Sequence, residues 1–221
     1  MILGVDGWSH DGEDADHLAH RVREVVGALL GDDVGQRLEL ATHEVRSGHP
    51  HTAVSCRVPL GVAALSTPGR VDGLLDVLHD LVAPAARVGA VGSAGPDGAV
   101  VATGPGLADG ACRGDGTAAL AGAWAAVAAA ATRVSGRLVR YPGVDELRGV
   151  LSVSELLGRS VVDEVVVVGG SGHDGTTLVD TRDFVRPVVT EGRVRLLVQP
   201  AVGGVMVPFE KQNPERCCED H

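Results

Sequence analysis

Only five aromatic side chains, Trp8, Trp124, Tyr141, Phe184 and Phe209, occur in 221 residues, and this scarcity limits what the chain can fold into more than any motif does. With 44% of residues apolar a full core can form, but it must be built from Val, Leu and Ala, with Gly where backbones come close. Base stacking and aromatic-cage recognition have little to work with. The net charge is -10, and Lys211 is the single lysine among 19 basic residues, which argues against nucleic acid or an anionic membrane surface as partner.

The start Met1-Ile2-Leu3-Gly4-Val5-Asp6 meets an acid at once and does not read as a secretory signal, so the expected location is cytoplasmic. Four cysteines are too few and too unevenly spaced for a disulfide scaffold. The longest uncharged run, Gly116 to Thr132, is shorter than a membrane span and reads as a buried Ala-rich helix, capped by Asp115 or Thr117.

Periodicity predicts a strand over 2–5 and a helix over 14–30 with Leu18, Val22, Val25, Val26 and Leu29 in one stripe. A hairpin follows, with arms 36–45 and 51–58, then a helix over 71–82 and a second hairpin pairing 88–91 with 99–102. After the Ala-rich helix, residues 144–157 read as short helices and Val161 to Val168 as a strand covered on both faces. A late hairpin joins 177–189 to 193–198, turning at Thr190-Glu191-Gly192. The expected fold class is mixed α/β: a mixed sheet with β-hairpins packed against about three helices. One globular domain is expected over 1–199, with 92–116 as its candidate sub-boundary, followed by an extended C-terminal tail over 200–221.

Four places can carry chemistry. Cys217, Cys218 and His221 place two thiols and an imidazole in a five-residue stretch of the tail, a soft-ligand set that suits Zn or Cu. In the first hairpin, a turn centred near Ser47 sets His43 opposite His51 with His49 at the tip, a second metal-ligand candidate. The loop after the first strand offers Asp6, His10 and Asp11 as acid and base at a place where open α/β sheets bind ligands. The Gly-rich loop Gly169 to Thr176 lacks the Lys-Ser/Thr ending of a phosphate loop and leads into another strand, but His173 and Asp174 can line a pocket.

Two functions and a bland reading stay open. The first is a metal- or thiol-dependent binding or accessory protein using Cys217, Cys218 and His221, completed by His43, His49 or His51. The second is a small-molecule hydrolase or transferase built on Asp6, His10, Asp11 and His173. The third is a partner-docking protein, homo-oligomeric or with a protein partner, in which Gly203 to Val207 forms a docking strand.

Overall fold

The computed structural model describes residues 1–46, 50–59, 69–83, 98–104, 107, 110–114, 116–170 and 172–212. It is mixed α/β and divides into two compact units, Met1–Pro142 and Gly143–His221. The sequence expectation is one domain over 1–199 with a candidate sub-boundary at 92–116, whereas the two units divide after Pro142. Ala99 to Thr103 and Ala111 to Arg113 lie inside that Gly-rich stretch yet pair within the first unit's sheet. The break instead follows a strand that ends at Arg140, where Pro142 has no N–H to extend a ladder. No described helix is long and apolar enough to cross a membrane.

The first unit runs β1 (Ile2–Ser9), α1 (Gly12–Leu30), α2 (Asp32–Gln36), β2 (Glu39–Val45), β3 (His51–Arg57), α3 (Arg70–Val82), β4 (Ala99–Thr103), β5 (Ala111–Arg113), α4 (Thr117–Thr132) and β6 (Ser135–Arg140). Its strands lie in the order β5-β4-β1-β3-β2-β6, and each pairing is antiparallel. α1 begins where the Asp11 carboxylate accepts the Asp14 N–H at 2.8 Å, a side-chain cap followed by two acids in the first turn. Its buried stripe is Ala15, Leu18, Ala19, Val22, Val26 and Leu30, rotated slightly from the expected one, which leaves Leu29 exposed.

One face of the sheet is apolar. Leu3, Val5, Leu40, Val54, Cys56 and Val100 pack there with the inward residues of α1 and α3. The alternate residues point the other way, toward α4, as the period of two requires. That second face carries Gly4, Asp6, His43, His51 and Ser55 among small apolar residues, so it is polar where the first is oily.

Three expectations here are corrected. β1 does not stop at Val5 but continues to Ser9, because β3 and β4 hold it on both sides. His43 pairs with Ala53 and not with His51, which pairs with Val45. The hairpin centre lies one residue later than expected, which keeps Val45 in the ladder and buried; the slip is even, so His43 and His51 stay on one face. β4 pairs with β1 and β5; the other expected arm, 88–91, lies outside the described residues. Gly116 holds the cap position of α4 without a side-chain bond, and Thr117 is already helical.

The second unit contains a 3-10 turn at Val144–Glu146, then β7 (Val150–Ser152), α5 (Val153–Arg159), β8 (Glu164–Val167), β9 (Leu178–Asp180), β10 (Val188–Thr190), β11 (Arg193–Pro200) and β12 (Met206–Pro208). β11 is its spine, antiparallel to β10 and β12 and parallel to β8. A capping box between Ser152 and Glu155 starts α5. Glu191 and Gly192 both have positive φ, +53° and +80°, as the two-residue hairpin turn between β10 and β11 needs. β8 is not covered on both faces, since Val166 and Val167 are half-buried. Leu178–Asp180 pairs with β7 and β12 and so does not belong to the late hairpin. The chain does not run on as a simple extended tail from Pro200: it turns at Gly203 and Gly204, at φ +91° and +77°, and returns as β12 with Val207 opposite Gln199; Asn213 onward lies outside the described residues.

Candidate functional site

Asp6 and His51 meet on the polar face. The His51 Nε2 lies 2.7 Å from Asp6 Oδ2, and the other carboxylate oxygen accepts the Trp8 N–H at 2.8 Å. The Trp8 ring stacks on the imidazole, with centroids 4.0 Å apart and planes 19° from parallel. The Asp6 and His51 side chains are 0% and 1% exposed. Nε2–H donating to the carboxylate fixes the ring's orientation and tautomer.

The backbone around this pair is strained. Trp8 has φ +58°, a left-handed conformation that a bulky side chain rarely adopts, and the β1–β3 register shifts between Val5 and Ser9. The contact between Asp6 Oδ1 and the Trp8 N–H braces that turn of the chain. From above, Gly122 of α4 presses on the pair: a Cβ there would lie 1.9 Å from Asp6 Oδ2 and 3.0 Å from His51 Nε2.

His43 makes a separate contact, with Nε2 at 2.8 Å from Ser55 Oγ. Its Nδ1 is buried without a hydrogen-bond partner among the described residues. Burial pushes the imidazole down to about 4, so the ring is neutral at pH 7. With Nε2–H donating to Ser55, Nδ1 is left as an orphan acceptor beside Gly136, whose Cβ would come within 2.8 Å of His43 Cε1.

This burial gives the first unit an acid sensitivity. The folded value lies below the ordinary 6.5, so as pH falls the unfolded chain takes up the proton first. Stability is unaffected above pH 6.5 and declines between 6.5 and 4, by about 1.4 kcal/mol per pH unit and about 3 kcal/mol in all. Urea midpoints of the parent and a His43→Gln variant, compared across that window, are expected to converge on acidification. A constant gap between the two curves would refute the assignment.

The remaining candidate residues are scattered. His10 is exposed just past β1, and Asp11 is the cap of α1. The Asp6–Asp11 set therefore splits, and Asp6 joins His51, which the sequence grouped with metal ligands. His49 lies outside the described residues, as do Cys217, Cys218 and His221. In the second unit His173 Nε2 donates to the Val165 carbonyl at 2.7 Å, and Asp174 accepts from Thr176 and Thr177, which hold its carboxyl below the usual range. Both brace a loop. Among the described residues no group of three or more His, Cys, Asp or Glu is placed to hold a metal. Cys56 points into the apolar face, where burial pushes its thiol up to about 12.

No family model, curated protein or solved structure matches this chain. Its residues alone carry the functional reading. Sequence reasoning missed Ser55 and Gly122, and it missed the pairing of Asp6 with a residue 45 positions away. The available signal was a carboxylate and an imidazole at alternate positions of otherwise apolar strands.

Proposed function

We propose that the Met1–Pro142 unit is an acid–base enzyme domain, a hydrolase or transferase acting on a small molecule, with Asp6 and His51 as its catalytic pair. The observation that carries this reading is the buried carboxylate–imidazole contact beside a strained tryptophan. A buried polar pair is a poor source of stability compared with apolar packing, and backbone strain concentrates at functional sites. In this reading His51 moves a proton to and from substrate, Asp6 holds the ring, and the Trp8 indole forms one wall. His10, exposed beyond the end of β1, is a further candidate in this reading.

The test is a panel of activated carboxylic and phosphoric esters turned over by the parent, Asp6→Asn and His51→Gln chains, each checked for an intact fold by circular dichroism. Loss of general acid–base catalysis lowers kcat by about 100- to 10,000-fold. Turnover unchanged in both variants, or a parent inert across the panel, would sink the proposal.

The C-terminal Cys217, Cys218 and His221 support a separate proposal, a Zn or Cu site, through their density of soft ligands. His43 and His51 are weak candidates to complete it, because each ring already spends Nε2 on a hydrogen bond. Elemental analysis of untagged protein is expected to find near-stoichiometric metal in the parent and none in a Cys217→Ser/Cys218→Ser chain. Equal metal content in the two would remove the tail from consideration.

A further inference from the structure

We infer that the N-terminal half of α4 is a cover that lifts from the sheet, hinged at its C-terminal end, to admit substrate to Asp6 and His51. This rests on the acid–base reading above. The pair is closed off, and the residue pressing on it is Gly122. Any substrate that reaches His51 from the helix side has to displace this part of α4.

α4 lies close against the sheet, but smaller apolar side chains hold it there than hold α1 and α3. It buries Ala119, Gly122, Ala123, Ala126 and Val127, so Val127 is its one fully buried side chain larger than a methyl group. α3 alone buries Leu74, Leu75, Leu78 and Val82. Apolar stabilisation scales with area removed from water, and an Ala methyl removes a small part of what a Leu does. The surface beneath α4 also differs, since it carries Asp6 and His51, groups that water solvates well when the helix leaves.

The two ends of α4 are anchored unequally. At the C-terminal end Arg57 of β3 donates to the Ala130 carbonyl, and Arg133 reaches Glu39 of β2 at 3.1 Å. Arg133 itself has φ +51°, a sharp turn at the end of the helix. At the other end Gly116 provides no side-chain cap, the first turn holds no acid, and Gly110 and Gly114 have φ of +73° and +105°. A helix without cap or favourable first-turn charge begins weakly. The anchored end is the hinge and the uncapped end moves. Two turns of helix are marginal away from the sheet, so the lifted half loses its hydrogen bonds as it opens.

Hydrogen exchange of the full chain at neutral pH, read residue by residue, tests this. Amides from Leu120 to Trp124 are expected to share one opening rate, at least tenfold faster than those from Ala126 to Ala131 and those of Leu18 to Val26 in α1, after correction for intrinsic rates. Protection equal to that of α1 would overturn the cover. A staircase of rates falling turn by turn from Thr117 would also overturn it, because that is fraying and not a concerted lift. Protection equal to α1 together with lost turnover in Asp6→Asn would leave the acid–base reading standing. Fast shared exchange with unchanged turnover in Asp6→Asn would overturn that reading and with it the gating role of α4.

Discussion

An Asp6→Ala chain is expected to lose about 3–5 kcal/mol of unfolding free energy, because two buried donors lose the carboxylate that accepts from both, at about 1–3 kcal/mol each. The alanine leaves the His51 ring and the Trp8 N–H without the carboxylate they share, in a place that water does not reach. It also removes the brace on a tryptophan held at φ +58°. The midpoint of thermal unfolding of the first unit should fall by on the order of 10 °C. Asp6→Asn keeps an acceptor for only one of the two contacts, its NH2 replacing the other oxygen, and is expected to lose about half as much. Urea unfolding of the three chains decides the matter: a loss below about 1 kcal/mol in the alanine variant would mean that the pair bears no structural weight.

Gly122→Ala is expected to destabilise the same unit by about 3 kcal/mol, because its methyl falls on Asp6 Oδ2 and close to His51 Nε2. Neither neighbour is the free end of a flexible side chain. Gly4 faces α4 in the same way, with the Ala123 carbonyl 2.1 Å from where its Cβ would be, so the helix cannot back away without losing its seat. Gly73→Ala is the matched control. That glycine is exposed in α3 with nothing within 4 Å of its Cβ position, and the exchange should stabilise by up to about 1 kcal/mol. Opposite signs for the two glycines in urea unfolding are the expected result. A neutral Gly122→Ala would mean that α4 lies further from the pair than described.

What the sequence disclosed was local. The stripe of α1, the core of α3 and the Glu191-Gly192 turn each follow from residues within a few positions of one another. Asp6-Gly7 reads as a turn on the same local grounds, yet β1 is flanked by β3 and β4, and two ladders outweigh one turn signal. The hairpin register slipped by two because alternation is unchanged by an even shift. Gly98, Gly110 and Gly114 lie in the stretch that read as a candidate sub-boundary, but Cβ atoms there would strike Val82, Trp124 and the Gly98 carbonyl respectively. They are glycine for want of space. The Asp6–His51 contact was hidden for a different reason: it joins two strands far apart in the chain, and its cover is an Ala-rich helix with threonine at its two ends and no polar side chain between them to announce it.

Cys56 has a practical consequence. It lies in β3 between Leu3 and Leu40, with its thiol in the apolar core and pushed up to about 12. Thiolate, not thiol, reacts with disulfide reagents, so in the folded state this sulfur is both unreachable and unreactive. Exposed Cys112 is open to such a reagent from the start. The slow labelling of Cys56 then becomes a clock for the opening of the β-sheet, one that runs in native buffer, without denaturant or substrate.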